Sequence, residues 1–338
     1  MKELNVAVVG VGHLGQHHAR NYTEIEGCRL VAVADSDAER AREVARRHGV
    51  DWVPNYRDLP GDLDAVSIVT PTTTHHEVAS WFVDRGVHTM VEKPITDTVA
   101  EAEDLVAKAR KAGVTFQVGH IERFNPAATA VEGLEVDPKF MEVHRLAPFS
   151  FRSTDVSVVK DIMIHDLDII LHFARSEVVD VRAAGFPVVT RKDDIANARL
   201  EFASGCVANV TASRLSLQPM RKIRLFTTRA YVSLDYLNKT GIVIKAPPDI
   251  LEKARGLDGV DLEKAAPNIF GDLLQIEQIK MDEYEPLKKE LTSFVDAIRE
   301  GTEPVVTGED GLRALDLAER IGAGITEHAW YGEGVKAK

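Results

Sequence analysis

A glycine-rich segment near the start of the chain has the spacing of a phosphate-binding turn. Gly10, Gly12 and Gly15 form the pattern G-x-G-x-x-G between an apolar stretch and a helix-like stretch. The absent side chains allow a tight turn and let a pyrophosphate approach the N-terminus of the following helix. Asp35 ends the next apolar stretch, where a carboxylate can accept hydrogen bonds from ribose hydroxyls and repel a 2'-phosphate. The segment therefore predicts a dinucleotide site that takes NAD, with NADP less favoured.

Two later loops carry polar side chains directly after apolar stretches. The first contains Thr70, Pro71 and His75, and the second contains Glu92 and Lys93. Ligands of a doubly wound sheet bind beyond the carboxyl ends of its strands, so both loops are expected at the same crevice as the glycine turn. A lysine at this place would face the nicotinamide. The alternative interpretation is a surface lysine that precedes a helix.

A third segment near the middle of the chain combines aspartates and histidines. At about 3.6 residues per turn, Asp161, His165, Asp168 and His172 fall on one stripe of a predicted helix. Such a stripe is a solvated face, a metal site or an acid/base site that lines a cleft. The sequence offers no obvious further metal ligand, so we predict no metal. In the acid/base interpretation, Asp161 accepts a hydrogen bond from the imidazole of His165 and fixes its tautomer.

The elements that must position these segments alternate over the first 120 residues. Strands are predicted at 5–12, 29–34, 65–70, 88–91 and 114–119, and helices at 13–25, 37–48, 74–84 and 96–111. Repeated βα units of this length require right-handed crossovers and a parallel, doubly wound sheet. The predicted fold class is therefore α/β, with an NAD-binding Rossmann domain over residues 1–121.

The pattern changes in the rest of the chain, where strands follow one another without alternating helices. Strands are predicted at 140–146, 178–185, 197–202, 206–213, 222–226 and 231–236, and helices at 161–174, 286–299 and 309–328. This order predicts a C-terminal α+β domain over residues 122–338, with an open, mostly antiparallel sheet for substrate binding and oligomerisation. The segment 246–278 is ambiguous and is predicted as loop with at most one strand.

The composition favours an acidic globular protein of two domains. The 338 residues exceed what one hydrophobic core usually supports, and the net charge of -12 disfavours a nucleic-acid partner. No apolar run approaches the roughly 18 residues of a membrane span, and no signal peptide is recognisable, which predicts a cytoplasmic protein without a membrane partner. Cys28 and Cys206 lack disulfide or zinc spacing and are expected to be small buried hydrophobes.

The glycine turn, the two polar loops and the aspartate–histidine segment together resemble the Gfo/Idh/MocA oxidoreductase family. The resemblance covers most of the chain and implies a Rossmann domain followed by an open, mostly antiparallel sheet domain. It also implies oxidation or reduction of a ring hydroxyl of a sugar, inositol or related polyol, with Lys93 and His165 as the catalytic pair. Within the family, the segment Gly119–Pro126 resembles the subgroup of UDP-N-acetylglucosamine 3-dehydrogenases.

The expected site has three groups of residues. The catalytic group is Lys93, Asp161 and His165. The cofactor-binding group is Gly10, Gly12, His13, Leu14, Gly15, Asp35, Thr70, Pro71, His75, Glu92 and Lys93. The substrate-binding group is Lys93, Arg123, Asn125, His165 and Arg214.

The roles within the site follow from the chemistry of alcohol oxidation. An imidazole suits proton transfer near neutrality, so His165 is expected to be the general base and acid. Lys93 is expected to hold the reacting oxygen by a charge-assisted hydrogen bond, with Glu92 orienting it. Arg214 either reaches a phosphate of a nucleotide sugar or is an ordinary charge of the sheet surface.

Other functions stay open at this point. The substrate is a nucleotide sugar or else an inositol or free hexose, and a non-catalytic NAD-binding sensor is a further alternative. A hydrolase built on His165 would require metal ligands that the sequence does not offer. An exposed antiparallel sheet face is a natural self-association surface, so a homodimer or homotetramer is expected.

Overall fold

The computed structural model describes residues 3–131, 136–150, 154–247 and 275–328. It divides into two compact units. The first consists of Met1–Phe124 and Tyr284–Leu317, and the second of Asn125–Glu283 and Ala318–Lys338. Within the described ranges, no helix combines the length and the apolar character needed to cross a membrane.

The first unit is built on a six-stranded parallel sheet. Its strands are β1 (Leu4–Val9), β2 (Cys28–Ala34), β3 (Asp51–Val53), β4 (Ala65–Ile68), β5 (His88–Glu92) and β6 (Phe116–Gly119). They lie in the order β3-β2-β1-β4-β5-β6. Successive strands are added on one side of β1 up to β3 and on its other side from β4 onward, so the strand order reverses between β1 and β4. Loops at the carboxyl ends of these two strands form the crevice where a doubly wound sheet binds its ligand.

The helices occur in both units. In chain order they are α1 (Gly15–Tyr22), α2 (Ala38–His48), α3 (His75–Val83), α4 (Val99–Ala112), α5 (Pro126–Thr129), α6 (Ile164–Ala174), α7 (Pro286–Glu300) and α8 (Gly308–Glu327). A π-helical turn, Val159–Met163, leads directly into α6. The crossover helices α1 to α4 connect the parallel strands, as the alternation in the sequence predicts.

Apolar side chains cover both faces of the parallel sheet, and both layers include residues from late in the chain, such as Leu315 of α8 in one of them. Leu291 and Phe294 of α7 are fully buried and belong to the same apolar cluster as Val8 of β1 and Tyr22 of α1. This packing explains why Tyr284–Leu317 joins the first unit. The division therefore differs from the predicted boundary after residue 121, because a contact over this sequence distance leaves no local signal.

The second unit is built on an eight-stranded sheet. Its strands are β7 (Phe140–Leu146), β8 (Val178–Phe186), β9 (Ile195–Phe202), β10 (Val207–Ser213), β11 (Met220–Phe226), β12 (Ala230–Asp235), β13 (Thr240–Lys245) and β14 (Gln275–Gln278). The order is β14-β13-β12-β11-β7-β10-β9-β8, and every neighbouring pair is antiparallel except β7 and β10. Burial alternates along the strands, which gives the sheet one buried and one more exposed face.

The described elements confirm the predicted fold class of a Rossmann sheet plus a mostly antiparallel sheet. Two observed strands, β3 and β13, lie outside the predicted strands, and β14 lies in the segment 246–278, for which the sequence predicts loop with at most one strand. Residues 248–274 of that segment lie outside the described residues. The predicted helix 161–174 is divided, since its start lies in the π-helical turn.

The N-terminus of α4 offers a direct test of local stability in the first unit. The Thr98 hydroxyl accepts a hydrogen bond from the Glu101 backbone N–H at 3.3 Å, and the Glu101 carboxylate accepts one from the Thr98 N–H at 3.2 Å. We expect Thr98→Ala to lower the free energy of unfolding by about 1 kcal/mol, because one backbone donor loses its partner.

Urea unfolding followed by tryptophan fluorescence measures this change. A Trp330→Phe background leaves Trp52 and Trp81, both in the first unit, as the reporters. Thr98→Ser keeps the hydroxyl and is expected to unfold at nearly the urea concentration of the parent. Equal destabilisation by Ser and Ala would contradict a capping role for the hydroxyl.

Candidate active site

The glycine turn between β1 and α1 has almost no space for side chains. Gly10 has a φ of +84°, and a Cβ there would lie 2.5 Å from the carbonyl oxygen of Val69. A Cβ on Gly15 would lie 1.8 Å from the carbonyl oxygen of Gly10. At Gly12, by contrast, a Cβ would meet no atom within 4 Å. The outer two glycines therefore fix the turn, and the middle one leaves its backbone open to a ligand, as the pyrophosphate of a dinucleotide requires.

A cavity of about 770 Å³ begins at this turn. Five of the residues predicted to bind the cofactor line it: Gly10, Gly12, Asp35, Thr70 and Pro71. Its volume is in the range of small-molecule and cofactor sites, about 300–1,000 Å³. These residues, with an open backbone at the turn and a carboxylate at the end of β2, fit a dinucleotide.

Asp35 is held in place by the backbone around it. One carboxylate oxygen accepts a hydrogen bond from the Val11 N–H at 2.9 Å, and the other accepts one from the Asp37 N–H at 2.9 Å. The Arg40 guanidinium lies 3.4 Å from the same carboxylate. A fixed negative charge at this point favours ribose hydroxyls over a 2'-phosphate, while Arg40 offsets part of that charge.

His75, which the sequence predicts to contact the cofactor, is enclosed by protein atoms. The ring is 1% exposed, and its two nitrogens lie 2.9 Å from the carbonyl oxygens of Pro94 and Thr70. Burial lowers the pKa of His75, although both carbonyl oxygens act in the opposite direction. The structure thus favours a bridge between the two polar loops over direct contact with the cofactor.

Glu92 also turns inward. Its side chain accepts a hydrogen bond from the Lys93 backbone N–H at 3.2 Å, and its other oxygen lies 3.2 Å from Nε2 of His18 in α1. A Cβ on Gly119 of β6 would lie 2.8 Å from the carboxylate, so this position has room only for glycine. Glu92 therefore links β5, β6 and α1, and its direct contact with the cofactor stays a prediction. Lys93 follows as a half-buried residue at the carboxyl end of β5.

His18 is a residue that the sequence reasoning missed. It is 0% exposed and belongs to the buried stripe of α1, together with Gly15, Ala19 and Tyr22. Its position on the buried face of α1 could have identified it from the sequence. A buried imidazole requires a hydrogen-bond partner, so a histidine at such a position indicates a buried polar contact. The two remaining predicted cofactor residues, His13 and Leu14, are exposed members of the glycine turn.

In the second unit, the aspartate–histidine segment forms a π-helical turn followed by α6. The Ile164 N–H donates to the carbonyl oxygen of Val159, five residues earlier, which is the π-helical spacing. Asp161 lies within this turn, and His165 follows in the first turn of α6; both are half-buried. A π-helical turn contains one more residue than an α-helical turn, so the side chains around it do not follow the 3.6-residue period from which their common stripe was predicted. Asp168, expected on the polar stripe, is 1% exposed.

Three residues predicted to bind substrate are almost fully buried. Arg123 is 5% exposed and lies 3.8 Å from the Asp310 carboxylate within the first unit. Asn125, 7% exposed, accepts a hydrogen bond from the Ala127 N–H and so caps α5. Arg214, 3% exposed, donates to the carbonyl oxygen of Val156 at 2.8 Å. Internal partners already engage polar groups of all three residues, which favours contacts within the fold over direct contact with the substrate.

The described residues contain no cluster of three or more His, Cys, Asp or Glu side chains arranged to hold a metal ion. What the first unit does contain is a glycine turn with an open backbone at Gly12, a carboxylate at the end of β2 and a lysine at the end of β5. These features define a dinucleotide-binding Rossmann domain of the oxidoreductase type.

Comparison with known proteins agrees with this class. Residues 4–120 match an oxidoreductase family with an NAD-binding Rossmann fold, Gfo/Idh/MocA, and residues 142–233 match the Gfo/Idh/MocA C-terminal domain. The chain belongs to the Gfo/Idh/MocA oxidoreductase family. The resemblance inferred from the motifs is thereby confirmed, as is the expectation of an NAD-binding domain.

Individual relatives extend over different parts of the chain. A UDP-N-acetylglucosamine 3-dehydrogenase from Acidithiobacillus ferrooxidans is 37% identical over 95% of this chain and 97% of its own length. Its solved structure matches with a TM-score of 0.85 over 96% of this chain and 98% of that one. The scyllo-inositol 2-dehydrogenase (NAD(+)) of Bacillus subtilis is 32% identical over 63% of this chain and 68% of its own. A levoglucosan dehydrogenase solved with NADH shares the fold at 19% identity, with a TM-score of 0.82.

The buried contact between His18 and Glu92 leads to a prediction about the first unit. We expect His18→Leu to lower its free energy of unfolding by about 1–3 kcal/mol, because the Glu92 carboxylate stays buried and loses a hydrogen-bond partner. His18→Gln keeps an N–H donor and is expected to retain most of the stability. Urea unfolding, measured as for Thr98, compares the two variants, and equal stability of both would argue against the hydrogen bond.

Proposed function

We propose that this protein is an NAD-dependent dehydrogenase of a nucleotide sugar and that it oxidises the 3-hydroxyl of UDP-N-acetylglucosamine. The observation that carries the proposal is the similarity to UDP-N-acetylglucosamine 3-dehydrogenase, which extends over 95% of this chain and 97% of that protein. A match of this extent includes both units. The inositol dehydrogenase, in comparison, matches over 63% of the chain.

The residues needed for alcohol oxidation are present in both units. Lys93 and His165 are each half-buried, so neither is enclosed like Arg123 or Arg214. Partial exposure in a folded unit is what a group that meets a ligand requires. This contrast supports Lys93 and His165 as the pair that contacts the substrate.

Oxidation of a secondary alcohol separates a hydride from carbon and a proton from oxygen. NAD bound at the glycine turn supplies the hydride acceptor. In the proposal, His165 accepts the hydroxyl proton, and Asp161 orients its imidazole. Lys93 donates a charge-assisted hydrogen bond to the same oxygen and stabilises its developing negative charge. In the reverse reaction, His165 returns the proton to the oxygen as the carbonyl is reduced.

The test is NADH formation, followed by its absorbance, with a panel of substrates. UDP-N-acetylglucosamine is compared with its 4-epimer UDP-N-acetylgalactosamine, UDP-glucose, free N-acetylglucosamine and inositols, each with NAD and with NADP. We expect turnover with UDP-N-acetylglucosamine and NAD, and a lower kcat/KM with NADP because Asp35 repels a 2'-phosphate. Turnover with inositol alone would replace the proposal with a polyol dehydrogenase. No turnover, with NAD binding shown by fluorescence, would favour a non-catalytic NAD-binding protein.

Variants of the two assigned residues test the mechanism. We expect Lys93→Met and His165→Asn each to lower kcat about 100-fold or more, since each removes a group that acts on the reacting oxygen. The Kd for NAD is expected to stay within about twofold in His165→Asn, because the proposal assigns His165 to the substrate oxygen and not to the cofactor.

Each unit offers a matched control. Lys111→Met changes an exposed lysine of the first unit, and His172→Asn changes a histidine two turns further along α6. Both controls are expected to retain kcat. Wild-type kcat in Lys93→Met and His165→Asn would rule out the assigned pair.

Self-association of the chain and its location in the cell can be proposed as well. We propose a homodimer or homotetramer formed by the more exposed face of the second sheet, where the rings of Phe140, Phe226 and Tyr231 lie 4.9–5.7 Å apart. Light scattering is expected to give a mass of two or four chains, and a single-chain mass at micromolar concentration would contradict it. A cytoplasmic location is part of the same proposal, and the free thiols of Cys28 and Cys206 suit a reducing compartment.

A further inference from the structure

We propose that Arg145 and Arg214 are positioning residues that hold the turn carrying His165 by binding the aspartates on either side of it. The inference rests on the proposed function of His165 and adds to it two residues that do not themselves meet the substrate. Arg145 contacts Asp166, and Arg214 lies beside Asp161.

The first of these contacts is a buried, two-point ion pair. Arg145 Nε donates to Asp166 Oδ2 and Arg145 Nη2 donates to Asp166 Oδ1, both at 2.8 Å. Arg145 is 5% exposed and Asp166 is 6% exposed. Two parallel hydrogen bonds fix the direction of the carboxylate as well as its distance. Since Asp166 directly follows His165, this pair restricts where the first turn of α6 can lie on β7.

The second arginine binds the segment that enters the π-helical turn. Arg214 Nη2 donates to the carbonyl oxygen of Val156 at 2.8 Å and lies 3.9 Å from Asp161 Oδ2. Arg214 Nε lies 3.9 Å from Asp194 Oδ1, and the Arg214 backbone N–H donates to the Asp194 carbonyl oxygen at 3.0 Å. The guanidinium thus lies among two carboxylates and a carbonyl oxygen.

Asp194 provides a rigid support for this arrangement. Its carboxylate is 0% exposed and accepts hydrogen bonds from the backbone N–H groups of Val188, Val189 and Thr190 at 2.7–2.8 Å. The Thr190 hydroxyl donates to the second oxygen at 2.8 Å. A carboxylate held by four donors cannot move without breaking them, so the arginine beside it has a fixed counter-charge.

The sheet places the two arginines near the same end of two neighbouring parallel strands. β7 and β10 are parallel neighbours, and Arg145 of β7 is paired with Ala212 of β10, two residues before Arg214. Asp161 and Asp166 are five residues apart, which is one hydrogen-bond step of a π-helix. Two adjacent strands therefore supply one cation to each side of the turn, and His165 lies between the two aspartates.

A purely structural role would predict a loss of stability alone, so the test separates turnover from folding and cofactor binding. We expect Arg145→Lys and Arg214→Gln each to lower kcat about 10- to 100-fold with the Kd for NAD within about twofold of wild type. Arg214→Lys keeps the charge beside Asp161 and is expected to recover most of the lost kcat. The control Arg175→Gln removes the charge of an exposed arginine that directly follows α6 and is expected to leave kcat unchanged.

A second measurement does not depend on catalysis and separates this inference from the proposed function. The imidazole signals of histidine-labelled protein are recorded by NMR, and the signal absent from His165→Asn is assigned to His165. We expect this signal to shift in Arg145→Lys and Arg214→Gln and to stay in place in Arg175→Gln. If wild-type protein turns over none of the substrates, the proposed function fails, and this shift still decides the positioning role. Folded variants with wild-type kcat, or an unchanged His165 signal, would overturn it.

Discussion

A charged side chain that is withdrawn from water needs hydrogen-bond partners inside the protein, and in both units such side chains lie directly beside the residues assigned to chemistry. Glu92, which precedes Lys93, is 7% exposed, and Asp166, which follows His165, is 6% exposed. Burial of an unpaired carboxylate is strongly unfavourable, so each must stay in contact with its partner. The neighbouring functional residue has little freedom to move as a consequence.

The same constraint explains why particular small residues are needed in the first unit. The Glu92 carboxylate occupies the space that a Cβ on Gly119 would require, and the carbonyl oxygen of Gly10 occupies the corresponding space at Gly15. Glycine at these positions lets a polar group approach the backbone closely. The three glycines of the turn and the one at the end of β6 thus serve one crevice, although only those of the turn belong to a recognisable motif.

Local patterns in the sequence were sufficient for most of the elements. The helix α4 shows why, because Thr98, its apolar stripe and Gly113 lie within one short segment that determines both ends. The three-residue strand β3 is too short to show a period, and a π-helical turn has no compositional signature that separates it from the α-helix that follows. The packing of α7 onto β1 joins positions almost the whole chain apart, so no local pattern could predict it.

The hydrogen-bond partners of the side chains were the least predictable feature of the site, because the fold brings them together from distant positions in the sequence. Arg214 takes its acceptor from Val156, 58 positions earlier, and Arg145 takes its acceptor 21 positions later. The sequence alone does not distinguish such an arginine from one that binds a phosphate group of a ligand. The distinction is exposure: Arg123, Arg145 and Arg214 are 3–5% exposed, whereas Lys93 and His165 are half-buried. A side chain that exchanges a proton with a ligand must be reachable from outside its own unit, and the partly exposed Lys93 and His165 meet this condition, whereas the buried arginines do not.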